Sequence, residues 1–185
     1  LEELKRLLLT ADVGLQIKLQ QLRRLQDARA ALDALIRRET SQKEQTESLD
    51  KNEAKPEDFE ALASGERRNE RSAEDLEQQL RGLGSLAAAA AGSVNSATGD
   101  IGAAGNALGE SMPTEAADEQ AEALEKLNRA AAELAEAERN LQAELEALVR
   151  QQVMENLVEM IAQQIQVREA TEKLELQLAE AAEEA

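Results

Sequence analysis

The sequence contains no cysteine, histidine, tryptophan or tyrosine, and Phe59 is its single aromatic residue. Without thiols or imidazoles there is no ordinary zinc site, no thiol nucleophile and no imidazole base. Compact globular cores normally use aromatic side chains, because each buries a large apolar area. Their scarcity predicts thin seams of leucine and alanine between helices. We therefore expect no enzymatic activity, no catalytic residues, no cofactor and no metal ligands.

Basic residues and long apolar runs are also scarce. The net charge is −17, and residues 114–185 carry eighteen acids and six bases, a balance of −12. An acidic chain repels phosphate, so we expect no nucleic-acid partner, and loose attraction to anionic lipid is disfavoured. The apolar stretch 86–91 is far shorter than the ~20 residues that a bilayer requires. We expect no membrane span in residues 1–185, and any anchor would lie outside them.

The residues that are abundant indicate helices. Alanine, leucine, glutamate, glutamine and arginine dominate, a composition typical of long helices and coiled coils. Pro56 and Pro113 divide the chain, because proline suits a first helical position and cannot continue a preceding helix. The predicted organisation is a long helix over 1–55, a helix with a Gly/Ala-rich segment over 56–112, and a long helix over 113–185. The predicted fold is all-α, an elongated antiparallel helical bundle or coiled coil.

Leucines at three- and four-residue steps predict the seams between these helices. The row in the last helix has two interpretations, a homodimer zipper or an intramolecular seam, and the second is favoured in a chain of helical hairpins. The predicted seam residues are Leu15, Leu22 and Leu32 in the first helix and Leu127, Leu134, Leu141, Leu148 and Leu157 in the last.

The segment 85–109 has the glycine, alanine, serine and asparagine content of a flexible linker. A heptad-like stripe nevertheless runs through it, formed by Leu86, Ala90, Val94, Ala97, Ile101, Ala104 and Leu108. The stripe favours a helix that packs very close to its neighbours, and a loop is the alternative.

An internal echo appears when the chain is shifted by 125 residues. The pattern basic-Glu-x-Thr-Glu-x-Leu then aligns two triplets, Glu44, Thr46 and Leu49 with Glu169, Thr171 and Leu174. One interpretation is chance, because helical chains of low complexity align easily. The other is a spectrin-like array in which a helix is shared between successive repeats.

Three stretches, 83–89, 102–109 and 117–127, together resemble a group of uncharacterised bacterial proteins. These are large, membrane-anchored, Gln/Glu/Ala-rich helical proteins of planctomycetes and some proteobacteria. The Gln-x-x-Ala-Leu pattern from Gln120 to Leu124 follows a small-residue helix and a short turn, as in that group. Such proteins are often encoded beside AAA-type ATPases and von Willebrand A-domain proteins. The resemblance implies a role at the bacterial envelope, on the periplasmic side of the membrane, and it carries no catalytic residues.

The sequence therefore favours a structural or scaffolding segment of a larger helical protein, whose partners are other proteins or further copies of itself. The alternative is a protein-binding module in which the Gly/Ala-rich helix 85–109 opens to accept a partner helix.

Overall fold

The computed structural model describes residues 2–49 and 54–183. Within these ranges there are four α-helices, one short 3-10 turn at Gly84–Leu86 and no strand, so the all-α prediction is confirmed. The predicted end of the first helix, near 51–55, lies largely outside the described residues, and the helix itself ends at Ser48. The helices are α1, Glu2–Ser48; α2, Pro56–Arg81; α3, Ala88–Gly109; and α4, Pro113–Glu183.

The chain divides into two compact units, Leu1–Gln142 and Ala143–Ala185. The first unit is a bundle that contains α1, α2, α3 and the first part of α4. The second unit consists of the remaining part of α4.

Prolines and left-handed residues set the helix ends in the bundle. Pro56 is the first residue of α2, and the backbone N–H of Lys55 donates to the Asp58 carboxylate at 2.9 Å. Gly84 has a φ of +62°, which glycine adopts without steric cost. After α3, Ser111 also has a φ of 60°, and the next N–H, that of Met112, donates to the Ala107 carbonyl at 2.8 Å. This bond satisfies a carbonyl at the end of α3 before Pro113 begins α4.

Leucines and alanines alternate along the buried face of α4 in the bundle. Ala116, Gln120, Ala123, Leu127, Ala130 and Leu134 are all buried and follow one another at alternating steps of four and three. The buried leucines of the other helices are Leu25, Leu32 and Leu35 in α1, Leu62, Leu76 and Leu80 in α2, and Leu108 in α3.

The Gly/Ala-rich segment is a helix, as its stripe predicted. The first residue of the predicted stripe, Leu86, is the exception, because it lies in the 3-10 turn before α3. Glycines bring α3 close to α2. A Cβ added to Gly105 would lie 3.2 Å from the Glu66 Cβ, and one added to Gly102 would lie 2.9 Å from Glu70 Oε1. The stripe residues Ala90, Val94, Ala97, Ile101, Ala104 and Leu108 are all buried.

Polar contacts show that α1 and α4 run antiparallel in the bundle. Gln26 and Arg29 donate to the Glu138 carboxylate at 3.0 and 2.9 Å, whereas Thr46 accepts a bond from Gln120. Later residues of α1 therefore contact earlier residues of α4, which is the pattern of antiparallel helices. The hydrogen bond from Gln26, followed by that from Arg29, lowers the pKa of Glu138.

Candidate functional site

A buried polar layer crosses the core of the bundle. It consists of Glu39 and Thr46 from α1, Glu66 and Asn69 from α2, and Gln120 from α4, each at most 3% exposed. These residues lie inside because they occupy the same helical steps as the leucines. In α2 the buried face follows Phe59, Leu62, Glu66, Asn69, Ala73, Leu76 and Leu80, which alternate steps of three and four.

Amide side chains link the layer across three helices. The Asn69 amide donates to Glu39 Oε2 at 2.9 Å, which joins α2 to α1. The Gln120 amide donates to Glu66 Oε1 at 2.6 Å and to Thr46 Oγ1 at 3.2 Å, so that α4 is bonded to both α2 and α1. Thr46 in turn donates to the Gln42 carbonyl at 3.0 Å.

Glu39 and Glu66 form a pair of buried acids. Burial is the main cause that raises the pKa of Glu66, to about 8, and the neighbouring charge of Glu39 adds to it. Burial also raises the pKa of Glu39, against the opposing hydrogen bonds from Asn69 and Glu66. A hydrogen bond between the two carboxyls lowers the pKa of Glu39 and raises the pKa of Glu66.

One proton accounts for two of the three buried oxygens that have no partner among the described residues. These are Glu39 Oε1, Glu66 Oε2 and Gln120 Oε1. Asn69 and Gln120 donate to the other carboxyl oxygens, so one proton shared between the two carboxyls would satisfy both atoms. The layer then carries a single negative charge in a buried core. Such an arrangement can hold and release a proton. Asn69 of the layer also lines a surface depression of about 490 Å³, together with Gln42 and Gly65.

A group of acids on the bundle surface carries no separate chemistry. Asp100, Glu119 and Glu122 place oxygens within 4.8 Å of one another. The Lys126 ammonium already bonds Asp100 at 2.5 Å and lies 3.6 Å from Glu122. The hydrogen bond to Asp100 is the main cause that raises the pKa of Lys126. The ammonium therefore already neutralises part of the charge of this acidic group.

The second unit presents an uncovered apolar face. Between residues 148 and 176, twelve large apolar side chains are exposed, among them Leu157 at 48% and Val158 at 65%. Single exposed apolar residues are ordinary, whereas a contiguous patch marks an interaction surface. The uncovered face comprises Val153, Met154, Leu157, Val158, Met160, Ile161, Ile165, Val167 and Leu174.

The uncovered face has the same heptad phase as the covered face of α1. The 125-residue shift places four buried positions of α1, Leu32, Leu35, Glu39 and Thr46, on the exposed Leu157, Met160, Gln164 and Thr171. It places the buried Leu25 on Arg150, so the match begins after that position. Local bonds are also alike in the two segments. Lys43 forms an ion pair with Glu47, and Arg168 forms one with Glu172, each across four residues. Thr46 and Thr171 each donate a hydrogen bond to the backbone carbonyl four residues earlier.

A shallow depression of about 620 Å³ lies on this face, against Leu157, Met160, Gln164 and Thr171. All residues that line it belong to one helix. A single helix cannot enclose a small molecule, since ligand pockets bury most of the ligand surface. The depression is therefore part of a packing surface.

The predicted seam residues fall into two groups. Leu32, Leu127, Leu134 and Leu141 are buried, and Leu15 and Leu22 are half-buried. Leu148 and Leu157 in the second unit are exposed. Of the echo residues, Thr46 is buried in the polar layer and Leu49 is half-buried, whereas Glu44, Glu169, Thr171 and Leu174 are exposed.

Apolar periodicity did not identify Glu39, Glu66, Asn69 and Gln120 as core residues. The available signal was their position on steps of three and four within apolar stripes, such as Leu32, Leu35 and then Glu39.

No protein-family model, curated protein or solved structure matches the chain. No helix in the described ranges is long and apolar enough to cross a membrane.

Proposed function

We propose that the protein is a non-catalytic structural module of a larger helical assembly, and that it associates with other helices through the uncovered face of its second unit. The observation that carries this proposal is the contrast between the two units. The bundle buries its seams, whereas the second unit leaves the equivalent heptad positions, including Leu157 and Met160, in solvent. The resemblance to membrane-anchored bacterial helical proteins is in accord with a scaffold at the envelope.

Association through this face is energetically reasonable. Full burial of a Val, Leu, Ile or Met side chain stabilises by about 1.5–3 kcal/mol, and these side chains are roughly half exposed. Covering the uncovered face would thus contribute about 1 kcal/mol per side chain. The nine side chains of the face would together contribute about 9 kcal/mol, which lies within the ~4–15 kcal/mol that association costs.

The test is photocrosslinking in the cells that naturally express the protein. A photoreactive amino acid at position 157 lies on the uncovered face, and one at position 162 lies on the opposite side of the same helix. We expect crosslinks from position 157, to this chain or to another helical protein, and far fewer from the matched control at 162. Equal yields from the two positions, or none from either, would contradict the proposal.

A second candidate function is a binding module in which α3 opens to accept a partner helix. It is favoured by the glycines of α3, because Gly92 and Gly99 weaken the helix at positions where a Cβ would meet nothing within 4 Å. Opening would expose the buried stripe from Val94 to Leu108. Hydrogen exchange distinguishes the candidates, since strong protection of 88–109 in the free chain argues against opening.

A further inference from the structure

The uncovered face has two polar positions on its seam. In heptad notation the d positions are Val153, Met160, Val167 and Leu174, and the a positions are Leu157, Gln164 and Thr171. A helix that covers this face must also satisfy the Gln164 amide and the Thr171 hydroxyl, because buried polar groups without partners are destabilising.

We propose that the uncovered face is covered by a second copy of the same helix, parallel and in register, with Gln164 facing Gln164 of the second copy. This inference rests on the proposed function and names its partner. In a parallel pair each a position faces the same position of the neighbour, so glutamine meets glutamine and threonine meets threonine. In an antiparallel pair a positions face d positions, and Gln164 would face an apolar side chain.

Comparison with α1 supports a partner of identical chemistry. Glu39 of α1 corresponds to Gln164 and is bonded by a different residue type, Asn69 of α2. A carboxylate only accepts hydrogen bonds, so it cannot pair with its own copy unless a proton is added. An amide both donates and accepts, so Gln164 is self-complementary.

The arrangement of charges also permits self-association of an acidic segment. Residues 143–177 contain seven acids and three bases, a balance of −4. Glu146 and Arg150 occupy the d and a positions that precede Val153, so the apolar seam begins at Val153. From there onwards no charge lies at an a or d position, and Glu155, Glu159, Glu169 and Glu172 occupy outer positions. The flanking g-to-e pairs of a parallel dimer, such as Gln163 with Arg168, contain no pair of like charges.

The experiment uses introduced cysteines in the full chain, which has none of its own. Leu157→Cys and Thr171→Cys are oxidised separately, and Leu157→Cys is also oxidised in a mixture with Val167→Cys, with Ala162→Cys as the outer-face control. In the parallel arrangement each of the first two variants forms disulfide-linked dimers alone, at least tenfold faster than the control. In an antiparallel pair that sets Gln164 opposite Met160, each of these variants alone reacts slowly, and the mixture links position 157 to position 167.

Sedimentation equilibrium measures the association itself. We expect a molar mass at least twice the 20.1 kDa of one chain at micromolar concentration. Met160→Glu should return the protein to a monomer, whereas Ala162→Glu should leave the molar mass unchanged. A chain that stays monomeric, or that links only in the mixture, overturns the inference.

The two proposals fail separately. If position 157 crosslinks in cells to a different protein and the purified chain is monomeric, the docking function stands and the second copy is excluded. If position 157 crosslinks to nothing and the chain is monomeric, both proposals fail.

Discussion

Glu39 and Glu66 lie together as a pair of fully buried carboxyl groups in the core of the bundle. Burial and the charge of Glu39 raise the pKa of Glu66 from its ordinary value of 4.5 to about 8. The folded protein therefore holds a proton there at neutral pH that the unfolded chain has already released. Several of the bundle's responses to pH and to substitution should trace back to this proton.

The free energy of unfolding should decrease as the pH rises from about 4.5 to about 8. Over this window the folded state binds more protons at Glu66 than the unfolded state, so deprotonation favours unfolding. The contribution is fully present below pH 4.5 and is lost as the pH rises through the folded pKa. The slope is at most about 1.4 kcal/mol per pH unit. Urea unfolding at pH 5, 6.5 and 8 measures it.

Glu66→Gln should remove most of this pH dependence. The amide can donate to Glu39 and accept from Gln120 as the protonated acid does, so stability at pH 5 should change little and stability at pH 8 should rise by about 1–3 kcal/mol. The control is Glu60→Gln, an exposed acid on the same helix. A variant as pH-dependent as the original chain would show that Glu66 is not the titrating group.

Gln120→Glu should destabilise the bundle strongly. The substitution removes the donor to Glu66 and Thr46 and adds a third carboxyl to a dry layer that already holds two. We expect a loss of about 3 kcal/mol or more at pH 7, and less at pH 5. The same exchange at the exposed Gln79 should stay within about 0.5 kcal/mol. Equal effects at both positions, measured by urea unfolding, would contradict the hydrogen-bonded layer.

Two glycines of α3 should respond differently to alanine. Gly99→Ala meets nothing within 4 Å and should stabilise by about 0.5–1 kcal/mol through higher helix propensity. Gly105→Ala places a methyl group 3.2 Å from the Glu66 Cβ, where α2 must move. We expect it to be about 1–3 kcal/mol less stable than the Gly99 variant. Similar melting curves for the two variants would argue against the close approach of α2 and α3.

Leu134→Ala and Leu176→Ala compare a covered leucine of α4 with an uncovered one. Leu134 is 1% exposed in the bundle, so its truncation should cost about 2–5 kcal/mol. Leu176 is 64% exposed and lies outside the proposed seam, so its truncation should change stability by less than about 0.5 kcal/mol. Urea unfolding of the two variants at one dilute concentration provides the comparison. A costly Leu176→Ala would mean that the second unit is covered in solution by contacts at this position.

Apolar periodicity was enough to predict the helices and most of the buried faces. The stripe from Ala90 to Leu108 predicted α3 despite its glycines, because burial of one face outweighs weak propensity. The row Leu127, Leu134 and Leu141 is buried as its spacing indicated. Periodicity could not show that Leu157 lies in solvent, since a face covered within the chain and a face open to another helix have the same pattern.

Periodicity could not predict the buried polar layer either, for a different reason. Glu39 and Gln120 continue apolar stripes, but a glutamate at a heptad position is equally compatible with a local gap in the seam. The partners that make burial tolerable, such as Asn69 for Glu39, come from other helices. Their identity depends on how the helices align, which the sequence of one helix does not contain.

The alignment of the polar layer across α1, α2 and α4 excludes neighbouring arrangements of the same helices. Leucine and alanine seams repeat every seven residues, so sliding α1 by one heptad would still match apolar faces almost everywhere. It would, however, move Glu39 away from Glu66 and place Leu32 or Thr46 opposite that carboxyl. Two acids would then lose their partners inside an apolar seam. The buried polar layer thus specifies a single helix register, whereas the leucines alone would permit several.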